Sequence, residues 1–411
     1  MSLFLSKRRC LSCEYSGVFS PSRTKTASLV VSGNASRAWL SRRSDNLILA
    51  VCFDRGAESM QFGIVSDRIA DIDKVVEAEA MGYGFCWAFD TPMLRSNPFV
   101  LLGLAAARTR TIRLGVGVAV PGLREAPEMA NAIATVGCLA PERTFLGLGT
   151  GNTAMRTLGR RPMRLQAFAS YIGTVRALLA GDATPYQSDD GVHEIRMQSP
   201  GPGYFNIDAP VPLHVGGFGP RAQALAGALG DGLITGFPRG GTIESALANV
   251  RRGAEDAHRS LDGFATSAMV NVLLLEPGET LASERVVAEC GSAIMANIHY
   301  LVDLTRETGT EPPDYVLPIW QEYLDFHATR DAASAHRKLH ESHYSYLDPA
   351  EARFVTPEII RAFCIAGHAE EIIAQVKALE AKGLDALTFV VPQDHGHRQY
   401  EQFARRVMER Y

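Results

Sequence analysis

The chain has 411 residues, is 46% hydrophobic and 21% charged, and carries a formal net charge of -4, so it can bury one large core or two smaller ones without disulfides. The balanced charge lacks the basic excess that nucleic acid or an anionic membrane would attract, and no apolar run approaches the ~20 residues that span a bilayer. Seven cysteines, odd in number and scattered, do not resemble a secreted disulfide framework and point to a reducing, cytoplasmic setting.

The first 59 residues are rich in Ser and Arg, including Arg8, Arg9, Arg23, Arg37, Arg42 and Arg43, and lack a sustained apolar period. Such composition fits a transit peptide, a disordered extension, or upstream sequence ahead of a true start at Met60. The expectation adopted is a poorly ordered extension, 1–59, outside the fold. Cys10 and Cys13 form a lone CxxC with no second ligand pair at finger spacing, which argues against a metal or redox site.

From Met60 onward, strand-like apolar runs alternate with amphipathic helical segments, the pattern of a parallel sheet with helices outside it. The units are strand 61–65 with helix 69–81, strand 85–89 with helix 98–108, strand 112–120 with helix 126–139, and strand 144–149 with helix 164–180. Then come strand 212–216 with helix 220–229, strand 232–236 with helix 242–260, strand 267–275 with helix 281–307, and strand 386–391 with a helix from about Arg398 to Tyr411. Eight strands predict an α/β fold, a closed (β/α)8 TIM barrel over 60–411 with insertions, since a plain barrel needs only ~250 residues. An open doubly wound sheet is the alternative, but it needs fewer strands and a switch point that is not evident. The insertions fall at about 182–211, where Pro, Gly and Asp clusters flank a hairpin, and at 308–366, with a helical piece around 320–344.

In such a barrel the ligand sits at the carboxyl ends of the strands. That criterion selects Asp90 and Thr91 after the second strand, Gly117 and Val118 at the end of the third, and Thr150, Gly151 and Asn152 after the fourth. It also selects the turn after the fifth strand, Gly216, Gly217, Phe218 and Gly219, which runs into a helix begun by Pro220 and Arg221. Glycines there let the backbone approach a ligand closely, and the free amides and positive dipole end of the helix suit a phosphate. An empty βα turn has the same outward form. His395, beyond the last strand, is a further candidate. His336, His340 and His343 fall at helical spacing, but no carboxylate motif lies nearby; they read as one polar face of a lid helix, and no metal is expected.

The segments 112–136 and 142–152 (ERTFLGLGTGN), together with 219–234 and 367–392, resemble the bacterial luciferase-like superfamily of flavin and deazaflavin enzymes, nearest in look to the methylenetetrahydromethanopterin reductase branch. The resemblance covers most of 60–392. It implies a TIM barrel holding reduced FMN or coenzyme F420 at the strand ends. The cofactor phosphate would rest at Gly217, Phe218, Gly219 and Arg221, and a non-proline cis peptide at Gly117-Val118 would lie against the ring. Many relatives place a His after the acidic residue that ends the second strand, catalytic in luciferase and near the cofactor in several F420 enzymes. Here the pair is Asp90-Thr91, so either Thr91 bonds the cofactor or oxygen, or another group such as His395 serves.

The leading expectation is an enzyme, a two-component monooxygenase that takes reduced FMN from a partner flavin reductase and oxygenates a small organic substrate. An F420-dependent reductase or dehydrogenase transferring hydride is the alternative, and a non-catalytic flavin-binding accessory protein is a third reading. A barrel aldolase is disfavoured because no Lys stands at a strand end. The resemblance also implies a homo-oligomer.

Overall fold

A computed structural model describes residues 60–411 apart from 199–202, 240, 329–338 and 393–395, with 396–397 and three strands between Ala27 and Ala50 described by backbone alone. Those three, Ala27–Leu29, Ala38–Arg43 and Asn46–Ala50, form a small antiparallel sheet within a separate unit, Met1–Cys52. The rest of the expected extension lies outside the described residues.

The barrel is as expected. Its strands are Gln61–Ser66, Phe85–Ala88, Arg113–Ala119, Thr144–Leu148, Leu213–Gly216, Gly232–Gly236, Ala265–Leu274 and Ala386–Phe389. Each pairs in parallel with the next, and the eighth returns to the first through Ala386 opposite Gln61 and Phe389 opposite Ile64. Rings fill the interior over glycines. A Cβ at Gly63 would stand 2.1 Å from the Phe85 ring, and one at Gly115 would stand 2.4 Å from Phe145. With Trp87 and Ile234 these rings make the apolar floor on which the upper mouth rests.

The helices follow the sequence signals. Pro98–Arg108 begins at Asn97, whose side chain accepts from the Phe99 and Val100 amides, with proline at the first helical position. Ala126–Leu139 and Pro220–Leu229 fall where the apolar period placed them. Helix Pro220–Leu229 packs so closely on Ile243–Asp256 that a Cβ at Gly227 would meet the Val250 carbonyl.

Of the two expected insertions, one forms as read and the other differs. The hairpin of the first insertion forms, at Thr184–Ser188 and Gly191–Ile195. The second insertion, however, begins directly after the seventh strand, not at 308. Helix Glu284–Thr308, expected as the barrel's seventh outer helix, instead builds a second core with Leu317–Ala328 and Pro357–Phe363, through residues such as Ile294, Ile298, Tyr323, Phe354 and Ile360. The outer position is taken by Ala369–Ala381, whose Ile372 and Val376 join the main core. An amphipathic period reports that a helix has a buried face, not which surface buries it.

Glu79, in helix Ile72–Ala80, shows how the loops at the opposite mouth are tied. It accepts the Arg110, Thr111 and Ile112 amides at 2.9, 2.6 and 2.8 Å. Desolvation pushes its carboxyl up, but these amides outweigh it and hold the pKa at about 2, against an ordinary 4.5. A carboxylate depressed in the folded state stabilises it above the unfolded pKa and ceases to do so as pH falls through the folded one. The urea midpoint should therefore drop between pH 4.5 and 2, more steeply in the wild type than in Glu79→Gln. Equal slopes in the two proteins would remove Glu79 from the account.

Candidate active site

The carboxyl ends of the strands open into a cavity of about 390 Å³. Another, of about 540 Å³, lies at the opposite mouth among Gln61, Arg113, His214 and Asp385, where barrels do not place their chemistry.

One wall of the upper cavity is the end of the third strand. Pairing with the fourth strand shifts between Val116 and Ala119, and the Gly117–Val118 peptide is cis, as the resemblance implied. A Cβ at Gly117 would stand 2.6 Å from the Trp87 indole, so only glycine lets the strand cross it. Val118 rests over Gly149, where a Cβ would come within 2.4 Å of its methyl.

Asp90 fixes this wall. Its side chain is buried, and Oδ2 accepts from the Val120 amide at 3.0 Å and from Arg124 at 2.5 Å. The end of the second strand is thereby tied to the chain just beyond the cis pair. Oδ1 is buried without a hydrogen-bond partner, an acceptor left on a residue that lines the cavity. Thr91 stands beside it on the wall, its carbonyl accepting the Leu94 and Arg95 amides.

Thr150, Gly151 and Asn152 also line the cavity. Gly151, at φ +82°, turns the chain from the fourth strand into the short helix Asn152–Arg156. The Asn152 Oδ1 accepts from Arg156 at 2.8 Å, and Arg156 pairs with Asp303, at 3.3 Å, and with Glu307 of the insertion. Asn152 thus orients an arginine that joins barrel to insertion.

The turn after the fifth strand ends at Gly219, the N-cap of helix Pro220–Leu229, and no side chain caps that helix. Gly216, Phe218, Gly219 and Ala222 reach the cavity, so the turn at the positive end of a helix borders it, with the Ala222 and Gln223 amides donating to the Gly219 carbonyl. Gly217 and Arg221 depart from expectation. Gly217 is buried under the turn, where a Cβ would stand 3.0 Å from the helix backbone, and Arg221 is exposed and off the wall. Two arginines line the wall, Arg156 and Arg239; the second, which the sequence reading did not select, is held between the Phe218 and Tyr300 rings at 4.1 and 4.5 Å. It follows a cis Phe237–Pro238 peptide, in the loop after the sixth strand.

The insertion closes the opposite side with Ala296, Tyr300 and Leu304 of helix Glu284–Thr308 and with His343 and Tyr344. His340 and His343 lie in consecutive turns rather than on one helix face, while His336 and His395 lie outside the described residues. His340 pairs with Asp303 at 3.1 Å. Burial, then the nearby His340, Arg95, His299 and Arg239, holds the His343 imidazole well below the usual histidine range, so it is neutral at pH 7. Among the described residues no three His, Cys, Asp or Glu side chains are grouped to hold a metal, and no helix is long and apolar enough to cross a membrane.

The cavity invites comparison with known proteins. The profile of the luciferase-like monooxygenase family matches residues 55–386. An F420-dependent glucose-6-phosphate dehydrogenase of Beutenbergia cavernae is 36% identical over 173 residues, 39% of this chain and 48% of that protein; the match spans about half the length of that relative. The 5,10-methylenetetrahydromethanopterin reductase of Archaeoglobus fulgidus is 27% identical over 337 residues, 79% of this chain and 91% of that protein. In solved structures, the coenzyme F420-dependent tetrahydromethanopterin reductase of Methanopyrus kandleri superposes with a TM-score of 0.61 at 20% identity, covering 85% of this chain and 99% of that one. The FMN-bound oxygenating constituent of 3,6-diketocamphane monooxygenase from Pseudomonas putida gives 0.55 at 14%, covering 86% and 99%. At these identities the structures speak to the fold alone.

Asp90→Ala would strip the Val120 amide and Arg124 of their acceptor at a buried site. The expected cost is about 1–3 kcal/mol of stability, read by urea denaturation. Asp90→Asn, which keeps an acceptor for the amide, should lose less; equal losses would assign the effect to the charge alone.

Proposed function

The chain belongs to the luciferase-like monooxygenase family and is an oxidoreductase, and within that family we propose that it is an F420-dependent dehydrogenase or reductase acting on a small-molecule substrate. The observation that carries this reading is the company it keeps in sequence: the relatives with appreciable identity include F420-dependent enzymes, whereas FMN enters only through structures at the level of fold. The reduced-FMN monooxygenase, expected first, is therefore the second reading.

The residues present fit a cofactor with a phosphate and a flat ring. The uncapped helix end at Gly219 and Pro220 would hold the phosphate. Val118 and the flat peptide before it would back the ring, with Trp87 below. The unpartnered Oδ1 of Asp90 would accept from a ring-edge N–H or a substrate hydroxyl. When bound, the deazaflavin would supply the hydride acceptor or donor. Arg239 would offer a positive charge to an anionic group, and Tyr300, Leu304 and Tyr344 would exclude water from the reacting atoms.

Two measurements test this. Purified protein should quench the fluorescence of F420 at micromolar concentration and reduce it with glucose 6-phosphate as the first substrate tried. Binding of reduced FMN with none of F420 would return the assignment to the monooxygenase. For the seat itself, Gly219 has an extended backbone, φ -96° and ψ 157°, and open space around a Cβ. Asp is a good N-cap, so Gly219→Asp should leave the melting temperature unchanged or slightly raised. Its carboxylate would compete for the helix amides, and F420 binding should weaken at least ~10-fold, the size of one lost charge-assisted contact. Unaltered affinity would move the phosphate elsewhere.

A further inference from the structure

We propose that the imidazole of His343, carried to the cavity by the insertion, takes up the hydroxyl proton of the substrate, the task for which Thr91 offers no imidazole. The proposal rests on the F420 reading and specifies its direction: oxidation of an alcohol.

Four observations carry it. His343 lines the same cavity as Thr91, Val118 and Thr150, so its ring borders the space where cofactor and substrate would meet. Its Nδ1 is buried and has no hydrogen-bond partner; the Nδ1 of its neighbour His340 is likewise unpartnered, but the His340 ring is turned to Asp303 through Nε2 and does not line the cavity. The loop that carries it is fixed. Arg95, itself paired with Asp67 at 2.5 Å, donates to the His343 carbonyl and, at 2.8 Å, to the Ser345 hydroxyl. Finally, the imidazole stands edge-on to Tyr344 at 4.6 Å, and Tyr344 packs on Phe89 at 5.9 Å, which sets the ring against the end of the second strand. A general base must be positioned before the reaction begins, and this one is held from both the barrel and the insertion.

The groups facing His343 keep it neutral. They are His340 in its own loop, His299 on helix Glu284–Thr308, Arg95 after the second strand and Arg239 after the sixth. In the step, the carbinol C–H bond would break and its electron pair would leave as hydride, which a bound oxidised deazaflavin would accept. The O–H bond breaks with it, its electron pair forms the carbonyl, and the proton passes to an imidazole nitrogen. The imidazolium, unfavourable beside Arg95 and Arg239, then releases the proton to water.

The experiment uses the full chain with histidine-selective 15N labelling, the His343 resonance being the one lost in His343→Gln. Oxidised F420 should shift that resonance while leaving it neutral. In turnover of glucose 6-phosphate, His343→Ala should lower kcat about 10²- to 10³-fold, with the F420 Kd held within about twofold and activity partly restored by added imidazole. The wild-type acid limb should lie below pH 6.5, because a base fails as pH falls through its own pKa, and the variant should lack it. A structural role would not give imidazole rescue. A His343 resonance unmoved by bound F420, or a variant within ~3-fold of wild-type kcat, overturns the proposal and leaves the cofactor assignment standing. Failure of the wild type to bind F420 overturns both.

Discussion

The pairing of the first strand with the eighth, Gln61 opposite Ala386 through Ile64 opposite Phe389, is the constraint on which the rest of the site depends. Because every barrel ladder is parallel, closing the ring forces all strand carboxyl ends to one mouth. Asp90, Val118, Asn152, Gly219 and Arg239 meet at one cavity for that reason. Closure also demands a filled interior. Phe85, Trp87 and Phe145 fill it only because glycine stands opposite, and their rings give the cavity a dry floor.

A mouth made of loops needs struts, and the structure supplies them as charged groups with fixed partners. Asp90 ties the second strand to the residue beyond the cis peptide, Arg95 joins Asp67 to the His343 loop, and Arg156 joins Asn152 to Asp303 and Glu307. Each such group is partly or wholly removed from water, where loss of a partner is costly. These struts tie the wall together, and of their charged groups Asp90 alone keeps an unpartnered oxygen, Oδ1, beside the cavity. Arg239, whose contacts on this wall are the Phe218 and Tyr300 rings rather than a carboxylate, is the contrasting case.

Local pattern carried the barrel: eight apolar runs with Gly or polar residues at their ends, and helices begun by Asn97-Pro98 or Gly219-Pro220, are signals written within a dozen residues. The cis pair Gly117-Val118 was legible only through resemblance, since neither residue announces the bond. Helix Glu284–Thr308 was legible as a helix, but its partner was not, because its apolar stripe fits a barrel wall or a second core equally well. Arg239 escaped notice because a lone Arg after Pro238 has no local signature; two aromatic rings from distant segments give it its place. His343 reads in sequence only as one of three histidines, with His336 and His340, at helical spacing. Only folding separates His340 from His343, one turned to Asp303 and the other to the cavity.

The second insertion is one continuous stretch, lying between the seventh strand and helix Ala369–Ala381, with an apolar core of its own. The proposed cofactor seat draws on the barrel, while the facing wall draws on this stretch. On the proposed reading, recognition of the two reaction partners would be divided between separate lengths of chain. Such a division would let a lineage change its substrate by rewriting one segment, while the residues proposed to hold the redox group stay under the separate constraint of closing a barrel.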